Sequence, residues 1–313
     1  MSETVREFEG LRVHSSGEGP LSLVLLHGFG ASNHSWRRWI PTLRRRYRVH
    51  AIELAGFGSS PLPAVGDLSP RGQARRVGAF LERHPSGPLV LIGHSLGGAV
   101  ATLVALDGEA GRLQIPLAGL ALISAPLLPQ RIPPILRAAR VRGLGELFLL
   151  GCPLRGMIRT GLRQIVGRKA LILPEMVTGY RAPLLNRERR RAILRAARQI
   201  QPEEVKALFP EYPRLTLPTL LLWGEQDRVV PPSTALRLRS TFPKSRCTIL
   251  PGVGHLPAEE APEESLAAFV HFLVEVESGS FPPAGSHPPF SQEGESHASS
   301  NPKRHPERSR DLG

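Results

Sequence analysis

Three residues in this chain are of the types that together make an alcohol nucleophilic, and each stands in a loop just past an apolar run. A serine hydroxyl attacks weakly until a base removes its proton and a carboxylate orients that base. Ser95 lies in Gly93-His94-Ser95-Leu96-Gly97-Gly98. The apolar residues 88–92 before it suit a buried parallel strand, and the apolar residues 99–106 after it suit a buried helix. A serine among glycines on a strand-to-helix turn forms a nucleophile elbow. The turn is sharp, the serine backbone is strained, and its neighbours have little room for a Cβ. The hydroxyl then stands clear of the sheet beside a helix N-terminus, whose dipole and free N–H groups favour a developing anion. The base candidate is His255, in Pro251-Gly252-Val253-Gly254-His255-Leu256-Pro257. The acid candidate is Asp227, in Trp223-Gly224-Glu225-Gln226-Asp227-Arg228. Glu225 shares that loop and is the alternative acid, although the position in the motif favours Asp227. His27 and His94 flank the same kind of loop and are read as holding it rather than carrying protons.

For these side chains to meet, the strands before them must end at one edge of one sheet. Residues 5–14 alternate loosely around Glu9-Gly10, as an edge hairpin does. Residues 21–26, 48–54, 88–92, 117–123, 217–223 and 247–250 read as strands, most of them short apolar runs. Helical stretches at 73–82, 99–106 and 265–276 separate them, and Trp36, Trp39 and Leu43 add helical spacing early on. Short apolar runs alternating with helices predict an α/β fold: a mostly parallel central sheet with helices on both faces. Each candidate then lies outside the carboxyl end of a strand, where open parallel sheets carry their sites. At Pro126 the character changes to prolines, arginines and helical pieces such as 186–200, where Ile193, Ala196, Ala197 and Ile200 mark one face. The expected organisation is a core of residues 1–125 and 211–278, a helical insertion at 126–210 covering the sheet, and a disordered tail at 279–313, rich in Pro, Ser, His and charge. Trp36, Phe57 and Trp223 are read as core, and Tyr180 and Tyr212 as packing.

At 313 residues and 41% hydrophobic, the chain can bury the core of one large domain with an insertion. Its net charge of +13 is concentrated: residues 126–210 hold 17 Lys and Arg against 5 Asp and Glu. No zinc-finger, RRM or KH pattern accompanies this block, so no nucleic-acid partner is expected. An arginine-rich composition shows most where the surface is least constrained; the alternative is a basic surface that steers acidic substrates or makes weak contact with anionic lipid. Cys152 and Cys247 have neither metal nor CxxC spacing, and two thiols are no disulfide framework. The N-terminus lacks the apolar run of a signal peptide, and glycines with His94-Ser95 interrupt residues 88–106, so no transmembrane segment is expected. Reduced thiols and a cytoplasmic location follow as the expectation.

In its order Ser95, Asp227, His255 and in its glycine-flanked elbow, the chain closely resembles the α/β-hydrolase family, specifically the capped branch, over residues 5–276. His27-Gly28-Phe29-Gly30 looks like that family's oxyanion loop, which implies the Phe29 backbone N–H as one oxyanion donor and that of Leu96 as the other. The resemblance implies cleavage of a carboxylic ester or related acyl bond, in a small-molecule substrate, through an acyl-serine intermediate, with no metal or organic cofactor. Two departures bear on this. Relatives usually read Asp-Leu-Pro-Gly-Phe-Gly where residues 53–58 here read Glu-Leu-Ala-Gly-Phe-Gly, a structural difference that leaves the chemistry intact. Relatives that open epoxides or displace halide carry aspartate at the elbow, so Ser95 argues against both. The family's C–C-bond hydrolases use serine but often carry Gly-Pro-Gly in the oxyanion loop, and Gly28-Phe29-Gly30 lacks that proline, so C–C hydrolysis ranks second. Some relatives keep their acid where Ser124 stands, which is no carboxylate and strengthens Asp227. Acyl transfer with the same triad and a slow, ligand-sensing hydrolase are the remaining alternatives.

Overall fold

The computed structural model describes residues 3–62, 66–84, 87–130, 134–151, 153–167 and 172–282. Along the chain run β1 (Thr4–Phe8), β2 (Leu11–Ser16), β3 (Ser22–Leu26), the one-turn α1 (Ile40–Leu43), β4 (Arg48–Glu53), α2 (Pro70–Arg83), β5 (Leu89–His94), α3 (Leu96–Glu109) and β6 (Leu117–Ile123). A helical stretch follows, with no strand among its described residues: α4 (Pro134–Arg140), α5 (Leu144–Gly151), α6 (Leu154–Ile165), α7 (Pro174–Arg181), α8 (Arg187–Gln199) and α9 (Pro202–Leu208). The chain then returns to β7 (Thr219–Gly224), α10 (Ser233–Arg239), β8 (Ser245–Leu250), α11 (Pro257–Glu260) and α12 (Pro262–Ser278).

The described strands make one eight-stranded sheet in the order β1-β2-β4-β3-β5-β6-β7-β8. β1 and β2 form the antiparallel edge hairpin, turning at Glu9 and Gly10, and β2 meets β4 antiparallel. The remaining neighbours pair in parallel. Because side chains alternate faces along a strand, the apolar runs feed two cores at once. Val24, Leu26, Leu89, Leu91, Leu120 and Leu122 pack into the core that includes α2 and α3. Leu23, Leu25, Val90, Ile92, Ala121 and Ile123 pack into the other, under Trp36, Trp39, Phe269 and Phe272. Trp39 stacks on Phe269 with ring centroids 5.1 Å apart, which docks the residues around α1 against α12. Trp36, Phe57 and Trp223 are all fully buried core residues.

The helices between β6 and β7 explain part of the basic composition. Asn186 caps α8 by accepting hydrogen bonds from the Glu188 and Arg189 N–H groups, and Ile193, Leu194, Ala196 and Ala197 are buried on its inner face. Several arginines are committed to backbone carbonyls rather than to solvent. Arg189 donates to Phe57 O and Ser60 O, Arg190 to Leu149 O, and Arg140 to Ile200 O. No helix among the described residues is long and apolar enough to cross a membrane. Cys247 is a free thiol whose pKa burial pushes up to about 11; Cys152 and the tail beyond residue 282 lie outside the described residues.

Candidate active site

The elbow is built by close backbone approach. Ser95 has φ +50°, inside the left-handed region that side chains avoid, and its N–H is anchored to Ile123 O on the neighbouring strand at 2.9 Å. A Cβ on Gly93 would run into the Gly97 carbonyl, and one on Gly97 into the Leu26 carbonyl. Glycine at both positions therefore lets α3 start directly over the ends of β3 and β5. Leu96 is the first residue of α3, so its N–H has no acceptor within the helix.

β7 ends at Gly224, and the turn after it closes through Asp227 N–H to Gly224 O at 3.2 Å. The Asp227 Oδ1 accepts the N–H groups of Val229 (2.8 Å) and Val230 (2.9 Å), which fixes the carboxylate and leaves Oδ2 for a partner. That partner is His255, past the end of β8: its Nδ1 lies 2.9 Å from Asp227 Oδ2, and its Nε2 lies 3.0 Å from Ser95 Oγ. With Nδ1–H donating to the carboxylate, Nε2 is left as an acceptor for the Ser95 hydroxyl. Asp227 and His255 are buried, at 4% and 5% exposure, so their pairing is little screened. Burial alone would raise the Asp227 pKa, but the His255 imidazole and the Val230 N–H outweigh it and hold the carboxyl below its ordinary value. The alternative acid, Glu225, is exposed and accepts from the Gly252 N–H instead.

The flanking histidines hold loops. His94 Nε2 lies 2.8 Å from the His255 carbonyl oxygen, tying the end of β5 to the His255 backbone. Burial, with the nearby His255, pushes the His94 pKa down to about 3, so the ring is neutral and donates that bond. His27 accepts from the Leu54 N–H through Nε2 (3.1 Å), so its Nδ1–H donates to Gly28 O (2.8 Å), fixing the start of the 28–30 loop. Phe29, in that loop, packs edge-on against Phe57 with centroids 5.4 Å apart.

Two acids that the sequence did not single out organise the surroundings. The buried Glu260 accepts from the N–H groups on either side of the histidine, Gly254 (3.0 Å) and Leu256 (3.0 Å), and from Gly167 N–H (2.8 Å) just past α6. His255 N–H also donates to Ile165 O at 2.8 Å, so the histidine loop is pinned to the segment that ends α6. Glu259, whose pKa burial pushes up, accepts from Arg37 (2.6 Å) and from the Tyr180 hydroxyl (2.7 Å), joining α7 to the 3₁₀ turn Asn33–Trp36. Nothing in residue type or spacing separates Glu259 and Glu260 from Glu263 and Glu264 beside them; the chain had to fold before their partners were defined.

Beside Ser95 opens a cavity of about 380 Å³. Ser95, Leu96, Phe29 and His255 line it together with apolar side chains of α5, α6, α8 and α9, such as Leu149, Ile158, Ile193 and Leu208, and with the polar Gln130, Gln164, Gln201 and Glu204. Tyr180 and Tyr212 reach the wall too, yet each hydroxyl is spent on the protein, that of Tyr212 on Leu127 O at 3.0 Å. Among the described lining residues none is lysine or arginine.

Comparison with known proteins agrees with this architecture. Residues 23–269 match the model of a family described as the alpha/beta hydrolase family. An uncharacterized hydrolase of Bacillus subtilis, YugF, is 31% identical over 264 residues, covering 82% of this chain and 92% of its own. A pimeloyl-[acyl-carrier protein] methyl ester esterase of Aeromonas hydrophila is 30% identical over 268 residues, covering 83% and 98%. An alpha/beta hydrolase fold protein from Burkholderia ambifaria superposes with a TM-score of 0.72 at 27% identity, covering 86% of this chain and 97% of that one.

Proposed function

Because the chain belongs to the alpha/beta hydrolase family, we propose that it is a serine hydrolase that cleaves a carboxylic ester by way of an acyl-serine intermediate, with Ser95, His255 and Asp227 as its triad. The observation that carries this is the continuous hydrogen-bonded chain from Asp227 Oδ2 through His255 to Ser95 Oγ, with links of 2.9 and 3.0 Å.

In the proposed cycle His255 Nε2 takes the Ser95 proton as Oγ attacks the ester carbonyl. The oxyanion is held by the Phe29 and Leu96 N–H groups at the N-terminus of α3, where the helix dipole adds to the field. Collapse of the tetrahedral intermediate breaks the acyl–oxygen bond, and the imidazolium gives its proton to the departing alcohol. Water then attacks the acyl-serine, His255 accepts its proton, and the acid leaves as Oγ is reprotonated. Asp227 keeps Nδ1 protonated throughout and stabilises the imidazolium. Asp227 draws in part on desolvation here: a buried carboxylate acts on its imidazole with little screening. Helices α4 to α9 act as a cap, excluding bulk water and presenting an apolar wall to the substrate. The chemistry calls for no metal or organic cofactor.

A fluorophosphonate probe tests the proposal. The expected result is a single covalent adduct on Ser95, absent in Ser95→Ala; a folded protein that takes up no probe contradicts it.

A further inference from the structure

The cavity beside Ser95 contains a notch whose position is unusual for a packed interior. Helix α6 is amphipathic: Leu154, Met157, Ile158, Leu162 and Ile165 form its apolar side, and Arg155, Arg159 and Arg163 are exposed on the other. Gly161 falls on the apolar side, three residues after Ile158 and four before Ile165, where the pattern calls for a large side chain. It lines the cavity, and a Cβ built on it meets no atom within 4 Å. Glycine weakens a helix interior, and protein interiors rarely leave such a gap unfilled. Space kept open at some cost to the helix, on the wall of the cavity that holds the nucleophile, is space for a ligand.

The walls define that ligand. The lining is mostly hydrocarbon, with Gln130, Gln164, Gln201 and Glu204 as polar exceptions, and among the described lining residues no lysine or arginine is present to pair with an anionic group. An anionic substituent would be desolvated there with no cationic partner and with the Glu204 carboxylate on the same wall, whereas methylenes gain by burial. We propose that the cavity is an acyl-chain channel, that the substrate is the ester of an unbranched medium-chain carboxylic acid, and that Gly161 is the specificity-determining residue that sets the chain length accepted. This rests on the acyl-serine chemistry proposed above. At the roughly 30 Å³ that a group of water's size occupies, a cavity of about 380 Å³ takes on the order of ten chain atoms. The chain belongs to the acyl rather than the alcohol side because the alcohol must depart before water can attack. The group that remains attached to Ser95 is the one that profits from an enclosed apolar wall.

The test is a series of p-nitrophenyl esters from acetate to palmitate, turned over by the wild-type protein, Gly161→Ala and Gly161→Leu, with a matched series of alkyl acetates. For the wild type, kcat/KM is expected to rise by at least about tenfold from acetate to an optimum near octanoate or decanoate, since each buried methylene is worth roughly fourfold, and then to fall at palmitate. In Gly161→Leu the decanoate-to-acetate ratio of kcat/KM falls by at least about tenfold and the optimum moves to shorter chains, mainly through KM. In Gly161→Ala the same ratio falls by a smaller factor while the melting temperature rises, because alanine favours the helix. This milder variant reads the effect even if leucine prevents folding. A wild type that prefers acetate, a ratio that Gly161 substitutions leave unchanged, or a length optimum found only in the alkyl acetates overturns the inference while Ser95 still takes up a fluorophosphonate. Absence of turnover on every ester together with absence of that labelling overturns the acyl-serine chemistry itself, and this inference with it.

Discussion

Replacing Glu260 by glutamine removes one charge while keeping the shape of the side chain that holds the His255 loop. The carboxylate receives the N–H groups of Gly167 and Gly254 on Oε2 and that of Leu256 on Oε1. A glutamine can keep its oxygen on the first two, but its NH₂ then faces the Leu256 N–H, donor against donor. One buried unsatisfied N–H costs about 1–3 kcal/mol, and the two surviving bonds drop from charge-assisted to neutral strength. Together these put the loss of stability at about 2–4 kcal/mol. The catalytic consequence is separate. Gly254 and Leu256 flank His255, so loosening them lets the imidazole drift from its 3.0 Å contact with Ser95 Oγ, and a misplacement near 1 Å costs on the order of a hundredfold in rate. The assay is urea unfolding alongside the rate of fluorophosphonate labelling at Ser95, which reports nucleophile activation without depending on the leaving alcohol. Glu225→Gln is the control: Glu225 is exposed and serves the Gly252 N–H in the neighbouring loop. If Glu260→Gln matched this control in both stability and labelling rate, the role assigned to Glu260 would be refuted.

Three further outcomes are expected. Stability should decline as pH falls below about 6.5, because His94 and His50 are held neutral, with folded pKa values of about 3 and about 4. The unfolded chain binds these protons first, so each histidine's contribution is intact above pH 6.5 and is lost at roughly 1.4 kcal/mol per pH unit down to its folded value. Urea midpoints from pH 8 to pH 4 measure this, and a curve flat over that range contradicts it. Gly97→Ala should abolish cooperative thermal unfolding by circular dichroism, since its methyl would meet the Leu26 carbonyl and cost more than about 4 kcal/mol; a native-like melt would show that the elbow has room to spare. Asp227→Asn should fold but lose on the order of 10⁴ in kcat. Its amide oxygen keeps the Val229 and Val230 N–H groups, the NH₂ turns to His255 Nδ1, and the proton moves to Nε2, where no base is left for Ser95. Unchanged turnover of an ester would mean that Asp227 does not set the tautomer.

The parts of the molecule legible in the sequence are those fixed by local chemistry. The central strands announce themselves because they feed two cores, so runs such as 23–26 and 89–92 are apolar throughout. The elbow shows because a helix starting directly over a strand end requires glycine at positions 93 and 97. The position in the motif favours Asp227 over Glu225 as the proposed acid, and in the structure it is Asp227 that pairs with His255, while the exposed Glu225 accepts from the Gly252 N–H. Boundaries were less clear. The last helix begins at Pro262 rather than Ser265, because proline fits the first turn of a helix, where its missing N–H is not needed. The helical spacing of Trp36, Trp39 and Leu43 resolves into a 3₁₀ turn and the one-turn α1, with Pro41 at its start. What could not be read from the sequence is long-range. Glu260 meets Gly167, and Glu259 meets Arg37 and Tyr180, across separations that no periodicity marks. Helical spacing in α6 puts Gly161 on the apolar side and Gly156 on the other, but only the fold shows that the apolar side faces a cavity.

The account stands on Ser95 becoming covalently acylated during turnover. Rapid acid quench of the protein mixed with p-nitrophenyl decanoate, followed by peptide mass spectrometry, reads this directly. The expected result is a decanoyl adduct on the peptide containing Ser95, appearing with the initial burst of p-nitrophenol and absent from Ser95→Ala. Steady turnover with no adduct on that peptide, or turnover that survives in Ser95→Ala, would contradict it.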